Sequence, residues 1–176
     1  LSAMAAEFKM NQTNFLLSVG FNGPHFPWLF LEKFLLFYSL DAVNYPSNFH
    51  VHNDVPTVAL TNYPESQQCG DIRALNLSGG FTELLPYTMT KMLRRAFYTS
   101  VSYVDRLIGH LVDAIIAEGI GDDTIIALWR DNGYLLGEHG QWCKNSLFDL
   151  ANRVPLMIRV PKLTDIGVVT EHIVEL

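Results

Sequence analysis

Cysteine is scarce in this chain: Cys69 and Cys143 are the two among 176 residues. Two cysteines do not make a disulfide framework, so a hydrophobic core must hold the fold, and the length is sufficient for one. Positive charge is also short. Twelve Lys and Arg stand against eighteen Asp and Glu, a formal net charge of -6, which excludes a nucleic-acid partner gripped through its phosphates. A local basic cleft remains compatible with that balance. No apolar run is long enough to span a bilayer; the longest, Trp28 to Tyr38, is interrupted by Glu32-Lys33. Leu1 to Met10 lacks a basic region followed by an apolar one, so it does not read as a secretory signal. The first residue is not Met, and the chain reads as a piece of a longer one. Two glycosylation sequons, Asn11-Gln12-Thr13 and Asn76-Leu77-Ser78, lend weak support to a secretory route.

What is present is the patterning of an α/β chain. Asn14 to Phe21 carries Phe15, Leu16, Leu17 and Val19, the near-continuous apolar run of a strand covered on both faces. Asn22-Gly23-Pro24 ends it and leaves His25 in a loop, where a histidine is ordinarily structural or solvated. Trp28 to Tyr38 is a short apolar segment, possible as a helix and assigned to packing. Asp41 to Pro86 is punctuated by Pro46, Pro56, Pro64, Gly70, Gly79 and Gly80 and reads as a long loop, either functional or poorly ordered. From Thr88 to Glu118, Leu93, Phe97, Val101, Val104, Ile108, Leu111 and Ile115 form the apolar stripe of one long helix. Lys91, Arg94, Arg95, Arg106 and Asp113 fall off that stripe and are expected in solvent. Gly119 is placed to close the helix. Thr124 to Trp129 is a second unbroken apolar strand, as in a parallel sheet, and completes the αβ half of a crossover unit. Val154 to Val160 is a further strand stopped by Pro161, and Asp149 with Arg153 reads as a structural pair.

The chemistry changes where the Thr124 strand ends. Asp131-Asn132-Gly133 follows, then Gly137, Gly140 and Lys144, and ligands in open α/β sheets gather outside the carboxyl ends of strands. Asp131 and Asn132 each offer an oxygen to a hard cation such as calcium or magnesium. Calcium takes about six to eight oxygens, so these two supply only part of a shell. Lys144 adds a compact cation that could hold an anionic group beside the ion. The plainer alternative stays open at this point, since Asp-Asn-Gly is common in turns and lysine is ordinarily a solvated surface residue.

The series Asp131-Asn132-Gly133, Gly137-Glu138-His139-Gly140, Trp142 and Lys144, then Phe148-Asp149 and Arg153-Val154-Pro155-Leu156, resembles the metal-dependent sulfatases of the alkaline phosphatase superfamily. The family pattern returns in Phe15 to Phe21 leading to Pro24-His25-Phe26-Pro27, and in Phe97 to Asp105. It is weakest between Pro27 and Pro86. The resemblance implies an α/β fold, part of an alkaline-phosphatase-like sandwich with a mostly parallel sheet flanked by helices. Residues 1–176 would be the C-terminal portion of a sulfatase catalytic domain, incomplete at both ends.

The implied reaction is hydrolysis of a sulfate ester. A formylglycine hydrate attacks sulfur, while Ca2+ and nearby cations stabilise charge on the sulfuryl oxygens. Carried over position by position, Asp131 and Asn132 would bind Ca2+. His25 and Lys144 would contact the sulfate as catalytic and substrate-binding groups, and Glu138 with His139 would fix the glycine-rich loop. Gly23 stands where close members have Lys, and Asn132 where the most similar members have His. Asparagine keeps a metal oxygen but shuttles no proton. Cys69-Gly70-Asp71-Ile72-Arg73 has the spacing of the nucleophile motif, yet Asp71 and Ile72 replace the Pro or Ala and the Ser it needs. Cys69 also follows the histidine strand rather than preceding it, so it is rejected as nucleophile. The nucleophile, its arginine and the carboxylate pair that completes the calcium shell are expected outside this chain. By itself the chain is therefore expected neither to turn over substrate nor to bind calcium tightly. Within the family the pattern is most like members acting on 2-O-sulfated uronic acid, which implies a sulfated glycosaminoglycan of heparan or dermatan sulfate type and a lysosomal or secretory location. Two other readings stay open: a related phosphoesterase, and a non-catalytic protein of the same fold that binds sulfated glycans.

Overall fold

The computed structural model describes residues 1–61, 69–76, 83–164 and 166–175. In chain order the regular elements are helix α1 (Ser2–Asn11), 3-10 turns at Glu32–Phe37 and Thr57–Ala59, helix α2 (Gly70–Ala74), helix α3 (Tyr87–Ala117) and a 3-10 turn at Gly121–Asp123. Strands β1 (Ile126–Trp129) and β2 (Leu135–Leu136), a 3-10 turn at Glu138–Gly140, strand β3 (Trp142–Cys143), helix α4 (Asp149–Asn152) and strand β4 (Leu156–Arg159) complete the order. Two compact units share these elements: Leu1–Phe21, Asp105–Asp131 and Pro155–Leu176 form one, Asn22–Val104 and Asn132–Val154 the other.

Helix α3 matches the sequence reading within a residue at each end. Of its stripe, Leu93, Phe97 and Ile115 are buried. Gly119 closes it in the left-handed conformation (φ +65°), its N–H donating to the Ile116 carbonyl at 2.8 Å. Among the described residues no helix is long and apolar enough to cross a membrane.

In the first unit the core is Ala5, Ile115 and Ile120, with Phe8, Phe15, Leu111 and Ile126 packed against it. Helix α1, which no stripe in the sequence announces, supplies Ala5. Strand β1 pairs with β4 antiparallel, Ile126 opposite Arg159 and Trp129 opposite Leu156. This corrects the expectation of a parallel, doubly covered strand: both strand pairings among the described residues are antiparallel, and Trp129 is half exposed. Residues 14–21 form no strand, and Leu16 is 88 % exposed. An apolar run records a demand for burial; which segment lies beside it, and in which direction, is decided elsewhere in the chain.

The second unit has the larger core, built from Ile72, Leu85, Leu93, Phe97, Leu136, Trp142 and Cys143. The expected long loop contains the 3-10 turn Thr57–Ala59 and α2, whose Ile72 is fully buried. Pro64, Gly79, Gly80 and Ser78 lie outside the described residues. Cys69 sits immediately before α2, packed against the core, as suits a packing residue rather than a nucleophile. The segment from Trp28 becomes the 3-10 turn Glu32–Phe37, with Phe34 buried.

Candidate functional site

Asn132 and Lys144 flank a small hairpin in the second unit. Strands β2 and β3 pair antiparallel, Leu135 with Cys143 and Leu136 with Trp142. Their turn is closed by Gly137 N–H donating to the Gln141 carbonyl at 2.9 Å. Leu135 opens β2 opposite Cys143, the last residue of β3, where a left-handed backbone (φ +71°) takes the chain out of the strand. Asn132 therefore enters and Lys144 leaves at the same open end of the hairpin. Lys144 is half-buried, directly after Cys143, which is 1 % exposed.

Asn132 is also half-buried, and its Nδ2 donates to the Gly133 carbonyl at 2.7 Å, which turns its Oδ1 the other way. The next residue permits no side chain. Gly133 N–H donates to Ala151 O at 2.8 Å, and a Cβ there would overlap the Leu150 carbonyl oxygen and lie 2.9 Å from its carbon. Asp131 is exposed and belongs to the first unit.

His25 is exposed, between the cis bonds Gly23–Pro24 and Phe26–Pro27. Its Nδ1 lies 2.8 Å from the Phe26 carbonyl. A carbonyl only accepts, so Nδ1 carries the proton, and Nε2 becomes a donor only when the ring is charged. The loop is fastened by Trp28, whose Nε1 donates to Pro24 O at 2.9 Å and whose ring stacks on Phe26 at 4.3 Å. The Phe26 ring meets Tyr134 at 6.1 Å, and Tyr134 stacks on Phe97 of α3 at 5.2 Å. The His25 loop and the open end of the hairpin thus lean on one aromatic cluster. Gly23 approaches α3 so closely that a Cβ would lie 2.8 Å from Val104 Cγ2. Any side chain at this position would have to displace that methyl.

Glu138 and His139 fix the loop as expected. Glu138 Oε2 accepts from Leu136 N–H at 2.7 Å; His139 N–H donates to Asn48 O at 2.6 Å, and its ring stacks on Phe148 at 4.2 Å. The partner that the sequence reading missed is Arg94. Far from being solvated, its side chain is 10 % exposed; Nη1 donates to Glu138 Oε1 at 2.7 Å and to Leu136 O at 2.9 Å, while Nη2 donates to Tyr98 Oη at 2.8 Å. Arg95 is likewise engaged, donating to the Tyr38 and Leu35 carbonyls at 2.6 and 3.0 Å. An exposed helix face and a face covered by a distant loop have the same polar signature in sequence. Asp149 and Arg153 do pair, at 3.9 Å, but fully in solvent, where such a contact contributes little.

The oxygens of Asp131 and Asn132 suit a hard cation chemically. Among the described residues no three His, Cys, Asp or Glu side chains gather as an ion site.

The model of the Sulfatase family matches residues 1–165. The chain is 35 % identical to iduronate 2-sulfatase of Mus musculus over 90 % of its length, and 34 % identical to that of Homo sapiens. It is 32 % identical over 82 % of its length to choline-sulfatase of Rhizobium meliloti. It spans about 28 % of the length of the two iduronate 2-sulfatases. Among solved structures it is similar to phosphonate monoester hydrolase from Silicibacter pomeroyi (TM-score 0.61, 22 % identity, 92 % of this chain and 33 % of that one). A protein solved with its substrate D-glucosamine-2-N,6-O-disulfate gives a TM-score of 0.58 at 21 % identity, over 80 % of this chain and 37 % of that one. At such identities these two structures speak to the fold alone, an alkaline-phosphatase-like mixture of helix and sheet. The family follows from the matched motifs and the curated relatives together: this chain belongs to the sulfatases.

Proposed function

We propose that residues 1–176 are the C-terminal portion of a sulfatase catalytic domain, that the full-length domain is a sandwich whose mostly parallel sheet carries the antiparallel β1–β4 pair, and that the full-length protein hydrolyses sulfate esters. The observation that supports this most is the convergence of the His25 loop and the Asn132 and Lys144 end of the hairpin on the cluster of Phe26, Trp28, Phe97 and Tyr134. Asp131 and Asn132 would contribute oxygens to Ca2+, which when bound supplies positive charge against the sulfuryl oxygens. Lys144 adds a point charge to the same oxyanion from a fixed backbone. His25 contacts it through Nε2, since Nδ1 is engaged with Phe26 O.

The substrate we favour is 2-O-sulfated uronic acid in glycosaminoglycans of heparan or dermatan sulfate type, with action in the lysosome or secretory pathway, because iduronate 2-sulfatases are among the most similar relatives. The test is sulfate release by the full-length protein from a sulfated uronic acid disaccharide, against a matched phosphate ester, with and without a calcium chelator. The expected outcome is chelator-sensitive sulfate release that falls by about 100-fold or more in Lys144→Ala, the scale of losing one oxyanion-stabilising group. Release unaffected by Lys144→Ala would sink the assigned site. Preference for the phosphate ester would favour a phosphoesterase, and glycan binding without hydrolysis a non-catalytic protein.

A further inference from the structure

We propose that Arg94 and Glu138 are a positioning pair, which fastens the turn end of the β2–β3 hairpin to α3 and thereby sets where Lys144 stands at the other end. The inference rests on Lys144 contacting the sulfate, as proposed above.

The hairpin has two residues in each strand, and an isolated two-stranded ribbon is at best marginally stable in water. Something else must fix it. The Arg94 guanidinium and the Glu138 carboxylate together engage both backbone polar groups of Leu136: its N–H donates to Glu138 Oε2, and its carbonyl accepts from Arg94 Nη1. Leu136 is the residue paired with Trp142, and Lys144 follows Trp142 by two residues, through Cys143, whose left-handed backbone (φ +71°) sets the direction in which the chain leaves the strand. Leu136, Trp142 and Cys143 are all at least nine-tenths buried, so a displacement at Leu136 has no slack to absorb it.

At its other end the guanidinium is held by α3 itself, through the Tyr98 hydroxyl one turn along. The helix is anchored in the same core by Leu93 and Phe97. A buried ion pair is a poor device for net stability, because desolvating both charges offsets their attraction. What it supplies is direction: a planar guanidinium and a two-oxygen carboxylate define angles as well as distance. That is the property a lysine needs if its ammonium is to meet developing charge without reorganising.

The experiment is a double-mutant cycle between Arg94→Lys and Lys144→Ala in the full-length protein, read by sulfate-ester kcat/KM and by hydrogen exchange of backbone amides. A lysine at 94 keeps the charge but loses the planar fork. If Arg94 acts through Lys144, Arg94→Lys costs about tenfold or more in kcat/KM alone and less than about twofold on the Lys144→Ala background. Exchange rises in peptides covering 142–146 and stays unchanged in those covering 87–104. Equal factors in both backgrounds, or faster exchange confined to 137–141, would overturn the proposal. Should Arg94→Lys fail to fold, Glu138→Gln, which removes the charge at constant size, carries the same cycle. A Lys144→Ala variant with undiminished activity defeats the proposed sulfate site, while the exchange result still decides whether the pair fastens the hairpin.

Discussion

Single residues here do jobs that their type alone does not disclose. Gly133 follows the candidate metal donors and could pass for an ordinary turn glycine, yet its backbone lies against the α4 carbonyls, with Gly133 N–H bonded to Ala151 O at 2.8 Å. Adding a Cβ forces it into the Leu150 carbonyl, and backbone rather than a flexible side chain would have to yield. Gly133→Ala is expected to destabilise the protein by more than about 2 kcal/mol, seen as a lower urea midpoint. Arg94 makes the complementary case. With side chains 10 % and 16 % exposed, Arg94 and Glu138 leave a buried charge behind when either is removed. Arg94→Met should therefore cost about 3 to 5 kcal/mol, and the Arg94→Met/Glu138→Met pair should recover most of it. Denaturation midpoints of the two singles and the double decide the matter; a double no better than the singles would mean the pair is held by its backbone contacts instead. Asp131, Asn132 and Lys144 stood out as candidates because hard oxygens and a cation after an apolar run are a local signal, and His25 became one only through the family resemblance. Arg94 did not stand out, because its partner lies 44 residues away and nothing in the spacing of α3 marks it.

Elements were legible in proportion to how locally they are determined. Helix α3, with its stripe and its closing glycine, needs only neighbours three and four residues away, and it came out within a residue of its reading. Strands depend on partners far along the chain. The run from Thr124 was correctly read as a strand, but its antiparallel partner β4 and its half-exposed face were not written in its composition. Residues 14–21 show the limit, apolar enough for a strand yet unpaired in the described structure. The aromatic cluster joins three such separated elements: Phe26 and Trp28 from a loop, Phe97 from α3, Tyr134 from the approach to β2. Phe97 is its hub and is 9 % exposed. Truncating it to alanine should cost about 3 to 5 kcal/mol. Because the His25 loop leans on the same rings, near-ultraviolet circular dichroism of Trp28 should weaken as well. Loss of stability with an unchanged aromatic signal would show the cluster to be less connected than its ring distances imply.

For the chain taken whole, the telling feature is apolar surface that stays in water. In the first unit Leu16 is 88 %, Ile125 63 %, Trp129 54 %, Met157 56 % and Ile158 54 % exposed. Scattered exposed apolar residues are ordinary; several drawn from one two-stranded sheet and the run before it are not. Strands β1 and β4 also have no further strand paired to them among the described residues, and an open apolar edge templates association. The 176-residue chain at tens of micromolar is therefore expected to elute larger than its 19.9 kDa monomer and to bind an apolar dye. Placing a charge on that sheet, Ile158→Lys, should shift it toward the monomer and reduce dye binding. Ile158 is more than half exposed, so the unfolding midpoint should move by less than about 1 kcal/mol equivalent. Association that persists in Ile158→Lys would place the adhesive surface elsewhere, with Leu29, Leu36 and Phe37 of the second unit, each at least 66 % exposed, the next to test.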